Sequence, residues 1–196
     1  MTNTSTKLRG FSLLELMITI SVMAILLAVA LPSFRDAIHR NQVSSSSNEL
    51  LASLAYARTE AVTRGQLVSM CPGTKAAGCT AAGQAFDAGW IVYTYPAGAA
   101  SANKAYVAGA PVLRSVDPRS GVSIQSHTTE VITFGQQGQL HSATITPLKL
   151  DFVTCFRNGT TGTGSSTTSV PGAELRINGS GSVSTYTWPV GSACTP

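Results

Sequence analysis

Residues 11–31 form an apolar run of twenty-one residues in which Glu15 is the one ionisable side chain. Coiled as an α-helix at 1.5 Å per residue, such a run is about 30 Å long, the thickness of a bilayer's hydrocarbon core. A polar leader, residues 1–10, precedes it with Lys7 and Arg9 as its only charges, and no charge occurs between Glu15 and Arg35. Basic residues on the N-terminal side orient the span with its N-terminus in the cytoplasm and the remainder across the membrane. Ala28 and Ala30 could imitate the cleavage site of a secretory signal. The run exceeds the roughly 7–15 apolar residues of a signal h-region, however, and it carries a carboxylate near its start.

That carboxylate is the informative residue. An acid at the centre of a membrane helix costs about 2.5–3.5 kcal/mol, less near an end, and intramembrane acids are as a rule paired. Glu15 lies four residues beyond Phe11, on the same helical face. Cleavage after Gly10 would give Phe11 a free α-amine, the natural counter-charge in low dielectric. An amine and a Glu15 from adjacent subunits would neutralise each other only with their stems side by side. Gly10-Phe11-Ser12-Leu13-Leu14-Glu15 resembles the class III signal of type IV prepilins and type II secretion pseudopilins. The resemblance implies cleavage by prepilin peptidase after Gly10, N-methylation of Phe11, and contact between Glu15 and a neighbour's amine in a filament.

Beyond leader and stem there is enough chain for one soluble domain with a real core. The formal charge is +4. From residue 41 onward nine Lys/Arg face seven acids, with no basic block, so composition alone indicates neither nucleic acid nor an acidic membrane as partner. All four cysteines lie outside the stem, and in an exported domain an even number reads as disulfides. Three pairings are possible. Proximity favours Cys71–Cys79, leaving Cys155–Cys194. A metal site is disfavoured by the lack of a Cys-x-x-Cys or a histidine cluster.

From residue 35 to 64 the periodicity is helical, with Val43, Leu50, Leu51, Leu54, Ala55, Ala61 and Val62 at spacings of three, four and seven. The serines at 44–47 weaken it, Pro32 should bend or loosen the helix, and Gly65 should stop it. Stem and amphipathic half together predict one helix about 80 Å long, apolar all round in its first half and on one stripe in its second. Strands are expected at 66–71, 89–95, 111–116, 122–126, 130–134, 148–157, 173–178 and 182–188. Strands in series imply antiparallel sheets. The Gly/Ser/Thr run 158–169 reads as a flexible loop tethered between Cys155 and Cys194.

Four stretches narrow the resemblance: Asn48-Glu49-Leu50-Leu51, the run from Ala55 through Ala57-Arg58-Thr59-Glu60 to Gly65, Val68 to Cys71-Pro72, and Gly89-Trp90-Ile91-Val92. They resemble the GspH/FimT family of type IV minor pilins and pseudopilins. This implies an α+β fold, a long N-terminal helix packed on an antiparallel β-sandwich-like domain. The parts would be a prepilin leader (1–10), a transmembrane and filament-core stem (11–31), the amphipathic half of the helix (32–65) and a β-rich periplasmic domain (66–196). It also implies an inner-membrane, single-pass subunit that enters a pilus or pseudopilus. Its partners would be other minor and major pilins or pseudopilins, prepilin peptidase and the inner-membrane assembly platform.

No catalytic constellation is found. His39, His127 and His141 are isolated, Asp87, Asp117 and Asp151 are scattered, and no nucleophile or phosphate-loop motif occurs. Trp90, Tyr93 and Tyr95 on one strand read as core and rim. No cofactor or metal is expected. Some members of the family bind incoming DNA through a Gly-Arg-x-Arg element. The corresponding stretch here is Gly181-Ser182-Val183-Ser184, with serine in place of each arginine. Lys149, Arg157 and Arg176 are the remaining candidates for phosphate contact, and such contact needs several charges acting together. The sequence therefore reads as a non-enzymatic minor pilin of a pilus priming complex. The alternatives are an H-type minor pseudopilin of a type II secretion system and a DNA-binding competence pilin. Mature protein should begin at Phe11, and Gly10→Ala should remain uncut; N-terminal sequencing of both proteins checks this.

Overall fold

The computed structural model describes residues 11–80, 84–95, 104–106, 109–129, 131–141 and 149–196. The chain divides into two compact units, Met1–Ile38 and His39–Pro196. Helix α1 (Leu13–Arg64) runs through Pro32 without interruption. The ring removes one N–H from the ladder, but helical residues on both sides carry the element across.

The C-terminal end of α1 stops where glycine allows it. Gly65 takes φ +60°, its N–H donates to Val62 O at 3.4 Å, and the N–H of Gln66 donates to Ala61 O at 3.3 Å. These two bonds satisfy the last carbonyls in a Schellman motif. In the second unit the buried helical positions are Val43, Ser46, Ser47, Leu50, Ser53, Leu54, Ala57 and Ala61. Leu50, Leu54, Ala57 and Ala61 enter the main core. Ser46 and Ser47, two of the serines expected to weaken the helix, are buried together with Ser53. Their small side chains let the helix approach its neighbours closely, and Ser53 Oγ is satisfied by donating to Glu49 O at 2.9 Å. Ala55 and Val62, placed on the apolar stripe by periodicity, are exposed.

The strands are β1 (Val68–Thr74), β2 (Gly78–Cys79), β3 (Trp90–Thr94), β4 (Val112–Val116), β5 (Val122–Ser126), β6 (Ile132–Phe134), β7 (Leu140–His141), β8 (Lys149–Phe156), β9 (Ala173–Asn178) and β10 (Val183–Thr187). One sheet runs β4-β3-β1-β6-β7 with β2 beside β1, and the other runs β10-β9-β8-β5. Every pairing is antiparallel. All eight expected strands are present; Glu130 and Leu148, at the starts of the expected fifth and sixth, lie outside the described residues. β2 and β7 were not foreseen, being two residues each.

β1 continues past the expected stop at Pro72. Gly73 N–H donates to Gly89 O at 2.9 Å, so alternation turns position 72 away from β3. On that other side β6 faces residues 68–70 and β2 faces 73–74. The proline's missing donor therefore falls in the gap between them.

Alternation along each strand gives one shared core and two flanking clusters. Val68, Met70, Trp90 and Val92 from the first sheet meet Ile124, Leu150, Phe152, Leu175 and Ile177 from the second around the helix. Phe86, in the 3₁₀ turn Phe86–Ala88, fills the middle and packs edge-on against Phe152 with centroids 5.0 Å apart. Tyr93 belongs to a second cluster with Cys71, Ile91 and Tyr106, and Tyr95 packs against it. Trp90 and the two tyrosines thus occupy opposite faces of β3. Both tyrosine hydroxyls converge on Lys104 O, at 2.5 and 2.6 Å. Burial, followed by the neighbouring Tyr95, pushes the Tyr93 phenol up, so it stays protonated as a donor.

Two polar devices tie the layers. Arg58 donates from Nε to Gly138 O at 3.0 Å and from Nη2 to Ser180 O at 3.1 Å, joining α1 to the β6–β7 and β9–β10 turns. Arg157 pairs with Asp87 at 2.6 Å, both under a tenth exposed, and donates to Gly162 O at 2.9 Å. Asp87 in turn accepts from Gln125 Nε2 at 3.3 Å. Asp87→Ala should lower the unfolding free energy by about 3–5 kcal/mol, because Arg157 would be left charged and unpaired in the interior. Equilibrium denaturant titration of purified protein measures this.

Candidate functional site

In the first unit the functional feature is the stem. Ser12 caps α1: its Oγ accepts from the Glu15 N–H at 3.2 Å. Ser12 and Glu15 therefore hold the first and fourth positions of a capping box, a signal that was present in the sequence as Ser-x-x-Glu. A carboxylate in the first helical turn gains about 0.3–1 kcal/mol from the helix dipole. That is a fraction of the roughly 2.5–3.5 kcal/mol an acid costs at mid-membrane depth. Capping eases the placement of Glu15 without replacing a counter-charge.

Every residue from 11 to 35 is exposed, among them Phe11, Leu14, Leu16, Ile18, Ile25, Leu26 and Leu31. Soluble monomers rarely show contiguous apolar patches above a few hundred Å². This surface is one that lipid or other stems must cover. Thr19 and Ser21 spend their hydroxyls on backbone carbonyls of the preceding turn, Leu16 O and Met17 O, both at 2.8 Å. They present no unpaired donor to an apolar neighbour.

In the second unit the structure closes disulfides between Cys71 and Cys79 and between Cys155 and Cys194, with Cα–Cα distances of 5.6 and 6.1 Å. The second bond holds the C-terminal segment over one face of β8, where Val153 and Cys155 are fully buried beside Trp188. Run 158–169, expected to be a flexible loop, is part of this cover. Ser166 is 1% exposed. Its Oγ donates to Trp188 O at 3.1 Å and accepts from the Gly172 N–H at 3.0 Å. Ser165 bridges Ala193. Hydrogen bonds to the tail fix what composition alone marked as slack.

The histidines stay apart. His39 stacks on Phe156 with ring centroids 3.8 Å apart, His127 donates its backbone N–H to Asp151 O at 2.9 Å, and His141 sits on β7. Among the described residues no group of three metal-ligating side chains occurs.

The candidate DNA contacts do not form one cationic surface. Arg157 is 8% exposed and committed to Asp87, so it cannot reach a phosphate; this corrects its place in that set. Arg176 is held by both carboxylate oxygens of Glu174, at 2.7 and 2.8 Å, and lies 4.4 Å from the centre of the Tyr186 ring. The side chain of Lys149 lies outside the described residues. Gly181 has a packing role instead: at φ +78° a Cβ there would overlap Gly138 O and crowd Arg58. Elsewhere on this unit Arg119 pairs with Glu49, and Arg64 with Glu60.

Comparisons with known proteins place this arrangement. Residues 46–181 match the family described as Type II transport protein GspH. The chain belongs to the GspH family. Residues 6–31 also match the prokaryotic N-terminal methylation motif, which fits a pilin anchored in a membrane by its apolar helix. A 44-residue stretch is 48% identical to the Type IV major alpha-pilin of Moraxella bovis, covering 22% of this chain and 28% of that one. A 40-residue stretch is 48% identical to fimbrial protein EcpC of Eikenella corrodens, covering 20% and 26%. The chain thus spans only about a quarter of the length of these relatives. The crystal structure of type IV minor pilin FimU from Pseudomonas aeruginosa is similar in fold, with a TM-score of 0.51 at 22% identity over 79% of this chain and 93% of that one. This GspH-family chain combines a pilin-type N-terminal motif with the fold of a minor pilin. With Arg157 committed to Asp87 and Arg176 to Glu174, a 39–196 fragment titrated with duplex DNA should show no salt-sensitive micromolar binding. An affinity that falls steeply with added salt would show that these pairs leave enough charge free for phosphate contact.

Proposed function

We propose that this protein is a minor pilin that joins the priming complex of a type IV pilus. In this reading prepilin peptidase removes residues 1–10, Phe11 is N-methylated, and the chain waits in the inner membrane with its C-terminal domain in the periplasm. Residues 11–31 then enter the filament core and the domain contacts neighbouring minor subunits. The observation that carries this is the uncovered apolar stem headed by Glu15, on a chain whose domain is closed by its own core and disulfides. Hydrophobic contact among stems supplies most of the association. The pairing of Glu15 with a neighbour's Phe11 amine sets the axial register, since a misaligned stem leaves a charge without a partner in apolar surroundings.

The family's description as a type II transport protein supports a second reading, the H-type minor pseudopilin of a secretion system. Its stem physics would be the same. The matches to pilus-forming proteins of Moraxella and Eikenella favour the pilus. Deletion separates the two. Loss of surface pili and twitching with secretion intact is the expected outcome, and the reverse pattern would establish the pseudopilin. Glu15→Ala should be made, exported and folded, yet fall at least tenfold in sheared filaments by quantitative immunoblot. Normal incorporation of that variant would contradict the charge-pair register.

A further inference from the structure

Among the described residues the two strand orders end in four edge strands, with β2 a two-residue spur on β1, and three of the four are blunted. β7 has two residues. β4 carries Arg114, and its ladder with β3 shifts register between Val92 and Tyr93. The outer side of β5 is already occupied: Ser126 N–H donates to Gln84 O at 2.8 Å, Ile124 N–H to Asp87 Oδ1 at 3.4 Å, and Ala85 bridges Gln125.

β10 differs. Val183–Thr187 contains no charge and no proline, pairs with β9 in unbroken register, and is exposed from Ser184 to Thr187. Asn178 N–H donates to Ser182 O at 3.1 Å, and Trp188 N–H to Gly172 O at 2.8 Å. Antiparallel alternation therefore turns the N–H and C=O of positions 184 and 186 toward β9 and those of Val183, Thr185 and Thr187 outward. Nothing among the described residues bonds these outward groups. Natural sheets protect such edges with charges, prolines, bulges or covering segments, and among the described residues none of these is present at β10.

We propose that β10 accepts an added β-strand: an extended, carboxylate-bearing segment of a different pilin-type subunit in the same filament. Main-chain bonds to positions 183, 185 and 187 would supply the pairing. Beside the strand runs a groove of about 380 Å³ between β10 and α1, and Arg40 is its only charged lining residue, so an acidic side chain is its complement. A second copy of this chain does not fit, because pairing β10 with β10 would bring two such cationic grooves together with no acid from either strand. Five residues also fall well short of the roughly 1,000 Å² that a stable free complex buries. The donor must be held by another contact, and membrane-embedded stems provide it by raising the effective concentration. The proposal thus rests on the pilin reading above.

The test uses the full chain in its own cells. Thr185→Pro removes one outward N–H and leaves the bonds of 184 and 186 to β9 in place, whereas Thr185→Val keeps that N–H. Thr185→Pro should reach normal membrane levels with both disulfides closed, yet drop at least tenfold in the filament fraction. Arg40→Glu should drop several-fold, and Thr185→Val should match wild type. Recovery of Thr185→Pro at wild-type level overturns the proposal. Should that variant be degraded, a benzophenone side chain at position 187 of the otherwise unaltered protein decides. Its adduct should lie on an extended segment of another pilin-type subunit, with none formed from position 115 on β4. No adduct, an adduct to a second copy of this chain, or one to a protein of another class overturns the proposal. Absence of wild-type protein from filaments contradicts the pilin reading instead, and the same crosslink in membranes then decides the strand site.

Discussion

An apolar helical surface with one carboxylate in its first turn has to be covered, and residues 11–35 of this chain are exposed. Along residues 11–35 each side chain faces outward, and the oxygens of Ser12, Thr19 and Ser21 are spent on the helix's own backbone. The physical demand is therefore for apolar area and for one positive charge. Lipid supplies the first. On the proposed reading, neighbouring stems would supply the first and, through a freed α-amine, the second. The rest of the protein makes sense as a domain that must stay folded while its stem exchanges one cover for the other.

The second unit meets that need by closing on itself. The helix stripe of Leu50, Leu54, Ala57 and Ala61 completes a core that two modest sheets would leave half exposed. The outer faces are then sealed by different means. The tyrosine cluster and the Cys71–Cys79 bond cover part of one sheet, and the tail held by Cys155–Cys194 covers part of the other. Asp87 and Arg157 join the 3₁₀ turn to the start of the 158–169 segment, and Arg58 joins the helix to two hairpin turns. Such links suit a chain with few long hydrophobic elements, because each fixes a loop that has little apolar area of its own.

Much of this was legible before any coordinates. The stem showed itself by length and by a single acid, and eight strands showed themselves by alternation and glycine or proline punctuation. Elements that depend on a distant partner did not. β2 and β7 are too short for a pattern and exist because β1 and β6 present open edges to them. The buried serines of α1 read as helix-weakening because propensity knows nothing of how closely a sheet lies. Segment 158–169 read as slack because its order comes from hydrogen bonds to residues 188–194. Arg157, a phosphate candidate by residue type, is held by Asp87, seventy residues away in sequence. The capping box at Ser12 and Glu15, by contrast, was readable, and its signal was overshadowed by the stronger membrane pattern.

The central claim, that Glu15 meets the amine of an adjoining stem, can be read chemically. Filaments treated with a hydrophobic carbodiimide should yield, on digestion and mass spectrometry, an amide joining the Glu15 carboxyl of this chain to the N-terminal amine of another subunit. Recovery of Glu15 unlinked, from filaments in which this chain is demonstrably present and other carboxyls have reacted, would contradict it.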